Sequence, residues 1–226
     1  MNPPATGLNF GLEASRSRHV EAGVKTILPA GLRLNAALFN IVTENEIVID
    51  QSSGGRTTFK NAGHTDRDGL EIGAETVGSG PWQARAAYTY LDATFRESFA
   101  TVTGTPAVPV TVPAGSQLPG TAQNVLYGDL RYQKERYYAQ VEGFYKSKVP
   151  VNDQNSDSAS AYATFNFIFA LLQAGPRWQI SEFVRVDNLF DKNYVGSVVV
   201  NDANNRYFEP SPQRNMTVGV QARLQF

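Results

Sequence analysis

The last eleven residues of the chain alternate strictly between apolar and polar side chains. The apolar positions are Met216, Val218, Val220, Ala222, Leu224 and Phe226, and the polar ones are Thr217, Gly219, Gln221, Arg223 and Gln225. Successive side chains of a β-strand point to opposite faces of a sheet, so this segment predicts a strand with one apolar and one polar face. Its length also matches the ~9–11 residues that a tilted strand needs to cross a bilayer. The segment therefore favours a transmembrane β-barrel with a polar interior.

Eight earlier segments are predicted as strands between turns rich in Gly, Pro and Asn, and all but 162–172, which is apolar on both faces, repeat this design. They cover residues 18–28, 32–39, 70–75, 82–90, 126–132, 139–146, 162–172 and 180–187. The connections alternate between short turns and long polar loops, and the long loops cover roughly 43–61, 96–123, 147–161 and 201–214. This alternation is typical of outer-membrane barrels, whose short turns face the periplasm. Residues 101–120 are rich in Thr, Val, Pro and Gly, so we expect the longest loop to be mobile rather than folded.

Charged residues inside the strands fall on the polar faces. They are Glu21, Lys25, Glu71, Glu75, Arg85, Asp129, Arg131, Glu142, Arg185 and Arg223. A packed soluble core does not hold so many charges, whereas a wide barrel with a wet lumen does. Glu182 is the exception, because alternation points it at lipid. Either it lies at the membrane rim or the register of that strand differs from this prediction.

Composition removes several other classes of protein. A formal net charge of −1 over 226 residues gives no tendency toward nucleic acid, and no apolar run approaches a transmembrane helix. The absence of cysteine excludes a disulfide scaffold and thiol chemistry. Residues 1–7 lack the basic and apolar segments of an export signal. An outer-membrane protein needs such a signal, so we expect the chain to be part of a longer protein.

Several motifs, taken in their order, resemble the C-terminal barrel half of TonB-dependent outer-membrane receptors. They are Leu12–Ser15 with Val20–Lys25, Asn61–Gly63 with Gly69–Glu71, Tyr88–Ala93, Asp187–Tyr194, Pro210–Arg214 and the terminal Phe226. The stretch from Asp187 to Tyr194 is the most specific, being similar to the pattern x-N-L-F-D-K-x-Y. The resemblance covers nearly all of residues 1–226.

The resemblance implies an all-β fold: an antiparallel transmembrane β-barrel meander, incomplete, with about nine C-terminal strands of a plugged barrel of ~22. Residues 1–226 would be the C-terminal portion of this receptor barrel, with the plug domain absent. The bacterial outer membrane is the implied location. Outer-membrane lipid would surround the wall, and Phe226 would address the barrel-assembly machinery. TonB would act through the missing N-terminal part, so the chain alone should neither bind TonB nor transport.

The implied function of the full-length parent is import of a ferric siderophore, with the order of motifs closest to siderophore receptors, including the ferric citrate type. A receptor for another scarce nutrient (a vitamin, metal or sugar) and a passive porin-like channel stay open as alternatives. A small enzymatic barrel is a further alternative, although no Ser/His/Asp order stands out. We expect no cofactor and no nucleic-acid partner.

Four residues near the outer rim are candidates for contact with an anionic iron chelate: Arg56, Tyr194, Arg206 and Tyr207. Cationic and aromatic side chains are the partners that such a ligand needs, although ordinary solvated loops contain them too. His64 with Asp66 and Asp68 resembles a set of metal ligands. The chain has only two histidines, however, and His19 is far away in sequence, so we expect a polar entry to a strand instead. The other aromatic residues near strand ends predict the girdles at the two membrane interfaces.

Overall fold

The structure, a computed structural model, describes residues 10–29, 31–78 and 80–224. Nine long antiparallel strands form one sheet in the order β1-β2-β5-β6-β9-β10-β13-β14-β17. They are β1 (Arg16–Leu28), β2 (Leu32–Glu44), β5 (Thr65–Thr76), β6 (Trp82–Phe95), β9 (Asn124–Lys134), β10 (Tyr137–Lys146), β13 (Tyr162–Gly175), β14 (Trp178–Asp187) and β17 (Asn215–Leu224). No helix long and apolar enough to cross a bilayer occurs in the part of the chain described.

Eight short strands form two-stranded sheets within the long loops. They are β3 (Ile47–Ser53) with β4 (Arg56–Asn61), β7 (Phe99–Thr103) with β8 (Val108–Val112), β11 (Val149–Pro150) with β12 (Ser158–Ala159), and β15 (Val195–Val198) with β16 (Phe208–Pro210). The expectation of a mobile loop over 101–120 is therefore wrong. Its β-branched residues pair in a hairpin, and Val112 and Leu118 pack with Phe95 in a buried cluster.

The meander confirms the prediction of about nine antiparallel strands, each paired with its neighbour. β1 and β17 lie at the two ends of the strand order and are the open edges of this sheet. The predicted strand at 32–39 continues to Glu44, because Thr43 and Glu44 still pair with Ser17 and Arg16. The C-terminal Phe226, predicted to end the last strand, lies outside the described residues.

The strand register places the predicted apolar and polar sets on opposite faces of the sheet. Glu142 stands opposite Asp129 and Asn166, and Arg185 opposite Thr217, so the charges of neighbouring strands share one face. We call this the wet face, and the other the outer face. On the outer face of β17, Val218 and Val220 are 71% and 72% exposed. A closed barrel turns such a face toward lipid and the charged face toward its lumen.

Glu182 lies on the outer face, and neither explanation offered for it above holds. The residue stands opposite Leu171 and Val220, with Val184 two positions along the same strand. This is the register predicted from alternation. Its position is also four residues inside β14 rather than at a rim. A carboxyl group therefore lies within the apolar band.

Candidate functional site

The wet face carries a connected network of polar side chains across five strands. Arg85 on β6 donates from Nε to Asp129 Oδ2 at 2.8 Å, and Arg185 on β14 donates from Nη2 to Glu142 Oε2 at 3.0 Å. Gln140 joins the two pairs, since its Nε2 lies 3.5 Å from Asp129 Oδ1 and 3.2 Å from Glu142 Oε1. These charges are compensated within the wall. This part of the wet face therefore presents paired charges and a hydrogen-bonding surface.

Asn201 ties three of the long loops together. Its Nδ2 donates to the carbonyl of Ile49 at 2.7 Å and to Asp153 Oδ1 at 3.1 Å. Its side-chain oxygen accepts from the Asp153 amide, and its own carbonyl accepts from the amide of Ser52. The loops around 47–61, 147–161 and 188–214 are consequently one folded unit, which we call the loop assembly.

A buried ion pair lies at the centre of the loop assembly. Asp153 is 3% exposed, and its Oδ2 lies 3.5 Å from Nζ of Lys60, which also reaches Asp50 at 3.4 Å. Lys60 further contacts the hydroxyl of Thr101 and the ring of Phe99. Burial raises the pKa of the Asp153 carboxyl, and Lys60 and Asn201 offset part of that rise. A charged carboxylate here depends on its lysine.

The motif from Asp187 to Tyr194 forms a clamped turn. Asn188 is buried with φ of 51°, and its side chain bonds reciprocally to the backbone of Lys192, with both N···O distances 2.9 Å. Its amide donates to Asn166 Oδ1 on β13 at 2.9 Å, and the Asp191 carboxylate accepts from the Arg214 amide. The asparagine therefore has a structural role. The turn brings Tyr194 against β13.

A cavity of about 650 Å³ lies among residues of the loop assembly at the start of β13, the end of this strand that meets the long loops. Tyr162 and Tyr194 pack together in it, with ring centroids 4.2 Å apart and planes inclined by 31°. Phe144 lies 6.0 Å from Tyr162 and extends the aromatic group onto β10. The lining is Asp157, Ser158, Ala159, Ser160, Ala161, Tyr162, Lys192, Asn193, Tyr194, Val195, Phe208 and Pro210. Aromatic faces, hydroxyls and one lysine thus share a cavity large enough for a small ligand.

The four residues predicted to contact a ligand do not come together. Tyr194 lines the cavity. Tyr207 is 5% exposed and donates to Asn205 Oδ1 at 2.8 Å, so its ring forms part of the loop packing. Arg206 is exposed outside the cavity lining, and Arg56 is exposed at the tip of the β3–β4 hairpin. Only Tyr194 combines its predicted role with a place in the cavity.

Sequence reasoning missed Tyr162 and Lys192 as cavity residues. Tyr162 is the first residue of β13, and Lys146 opposite it belongs to the wet face. Alternation alone could have indicated that its ring points inward. Lys192 lies inside the recognised motif, and its place in the cavity depends on the Asn188 clamp, which sequence patterns do not reveal.

His64 lies beside a carboxylate of the loop that follows β6. Its Nδ1 lies 2.9 Å from Glu97 Oε1, at the entry to β5. Among the described residues no group of three or more His, Cys, Asp or Glu side chains could hold a metal ion.

These features define the wall of a large outer-membrane β-barrel with folded extracellular loops. The family described as TonB dependent receptor-like, beta-barrel matches residues 1–217. The chain therefore belongs to the TonB-dependent receptor family, and its place is the bacterial outer membrane. This family consists of transport receptors rather than enzymes, so the alternative hypothesis of a small enzymatic barrel is wrong.

Solved structures share this fold at low sequence identity. The siderophore receptor PiuA from Acinetobacter baumannii matches with a TM-score of 0.71 and 21% identity, over 92% of this chain and 28% of its own. The ferric yersiniabactin receptor FyuA from Yersinia pestis gives 0.66 and 22%, over 94% and 30%. The copper transporter OprC gives 0.67 and 17%, over 95% and 32%. The chain spans less than a third of each of these proteins, and the likeness establishes the fold.

Proposed function

We propose that the full-length receptor containing this chain imports a ferric siderophore, and that the cavity beside β13 contacts this ligand. The observation that supports this most is the packed pair Tyr162 and Tyr194 with Lys192 in one cavity. An anionic chelate with an organic periphery favours aromatic faces for stacking and an ammonium for charge. Structural relatives named as siderophore receptors agree with it, whereas the copper transporter keeps another scarce nutrient open.

The remaining partners belong to the same proposal. Energy would come from the inner membrane through TonB, which would act on the N-terminal part of the parent rather than on residues 1–226. The outer face would be solvated by outer-membrane lipid, and the C-terminal strand with Phe226 would engage the barrel-assembly machinery. Arg56 and Arg206, exposed on the loops, would meet a ligand before it reaches the cavity. Tyr207 would support the loop rather than touch the ligand.

The experiment uses the full-length gene in an iron-starved strain that lacks its own siderophore receptors. Binding of radiolabelled ferric siderophores to whole cells measures affinity, and growth measures transport. We expect Tyr194→Ala and Lys192→Ala each to weaken binding about tenfold, as loss of one stacking or charge contact predicts. Lys148→Ala is the matched control, because this lysine is exposed in a loop outside the cavity lining.

Two results would count against the proposal in different ways. Binding that is normal in Tyr194→Ala and Lys192→Ala would move the ligand site elsewhere. Absence of growth and binding with every ferric siderophore, in cells that display the receptor, would favour a vitamin, another metal or a sugar. Uptake that continues without TonB would indicate a passive channel.

A further inference from the structure

Glu182 is a carboxyl group in the apolar band of the outer face. It stands midway along β14 between Leu171 on β13 and Val220 on β17, and it is exposed. Trp178, four residues nearer the short turn on the same face, occupies a position typical of the interfacial aromatic girdle. With a rise of ~3.3 Å per residue and a tilt of ~40°, Glu182 lies ~10 Å deeper than Trp178. This depth is close to the middle of an apolar band ~25 Å tall.

The aspartates of the outer face have a different environment from Glu182. They lie near the extracellular ends of β5 and β6, and each has a polar partner: Asp66 with Arg96, Asp68 with Asn40, and Asp92 with Gln123. Glu182 has no ion pair and no side-chain hydrogen bond within the described ranges. Its surroundings form an apolar depression of about 490 Å³, lined among others by Phe169, Val184 and Val218.

We propose that this depression docks a membrane-spanning segment of another protein that presents an arginine or lysine at the depth of Glu182. An ionisable group inside a membrane is costly and normally serves a function, and a cation is its complementary partner. The apolar lining suits the aliphatic stem of such a side chain, which leaves only the charged end to meet the carboxylate. Charge and shape therefore favour the same occupant.

Two other occupants fit less well. A lipid headgroup lies at the interface, ~10 Å from the carboxyl group by the same strand geometry. A second copy of this chain would present its own outer face, whose strand cations in the part described are Arg16, Arg18 and Lys134, all near strand ends. None of these lies at the depth of Glu182.

The test uses the full-length receptor in vesicles of phosphatidylethanolamine and phosphatidylglycerol. The probe is a Leu/Ala-rich transmembrane peptide with one central arginine, compared with the same peptide carrying a central leucine. Resonance energy transfer from a donor dye on the introduced cysteine of an Arg177→Cys receptor to an acceptor dye on the peptide measures their association. We expect the arginine peptide to bind at least tenfold more tightly, and Glu182→Gln to abolish this difference. Glu44→Gln, on the outer face at the far end of β2, should preserve it.

Folding of each variant is checked by its heat-modifiable mobility on electrophoresis, and Glu182→Leu provides a second, fully apolar variant. Equal binding of the two peptides overturns the proposal, as does an arginine preference that survives Glu182→Gln. Glu182-dependent association of two receptors without peptide would assign the depression to a second copy instead. An arginine preference that appears only when phosphatidylethanolamine is omitted would assign the depression to a competing lipid amine instead.

Discussion

Replacing Lys60 by methionine should loosen the loop assembly without affecting the barrel wall. Asp153 is 3% exposed, and Lys60 Nζ, 3.5 Å away, is its only cationic partner within the described part of the chain. Removing one member of a buried ion pair costs about 3 kcal/mol, because the remaining charge stays desolvated. Because methionine keeps most of the aliphatic side chain, the loss of stability measures the effect of removing the ammonium charge alone.

Hydrogen exchange resolved by peptide gives the measurement. A loss of about 3 kcal/mol predicts roughly hundredfold faster exchange in the loop assembly, while amides of the nine-stranded sheet keep their protection. The amides of Ser52, Asn201 and Ala203 are the reporters, since they donate between different loops. Lys148→Met is the control, because this exposed lysine has no ion pair among the residues described.

The direction in which pH changes the stability of the loop assembly in these variants also follows from the structure. Burial raises the folded-state pKa of Asp153 above its ordinary value of 3.8, so its stabilising contribution is complete below that value and is lost as pH rises through the folded pKa. Lys60→Met should therefore be most harmful near neutral pH and nearly harmless in acid. Asp153→Asn should remove this dependence, after correction for intrinsic exchange rates. A Lys60→Met variant with unchanged loop protection at neutral pH would refute the reasoning.

Three further outcomes are expected. Val220→Cys should react with a lipid-soluble maleimide and Gln221→Cys with a water-soluble one, and the reverse pattern would contradict the assignment of faces. Asn188→Ala should lose the reciprocal bonds to the turn and cost about 2 kcal/mol locally, so ligand affinity should fall about as much as is expected for Tyr194→Ala; an unchanged affinity would show that the clamp does not shape the cavity. β1 and β17 run toward the same rim, so an antiparallel barrel needs an odd number of further strands between them. Residues 1–226 with an export signal should give no heat-modifiable barrel, and finding one would contradict this geometry.

The nine strands were readable from the sequence because a barrel strand repeats its environment every two residues. Lipid on one side and polar lumen on the other impose the same alternation from Met216 onward as in β6, so periodicity indicated the faces and the neighbour pairing. The motif from Asp187 to Tyr194 was recognised through its resemblance to the family, whereas the contacts that hold its turn, both local and to Asn166 on β13, are seen only in the structure.

Contacts between distant parts of the chain decided the rest. Asn201 donates to the carbonyl of Ile49, 152 residues away, and no local pattern connects them. Such contacts join separate loops into one folded assembly, bury Tyr207 and bring Tyr194 against Tyr162. Local alternation fixes the direction in which a side chain points. Only tertiary packing decides what stands opposite it, because the loops that meet at the rim come from separate hairpins.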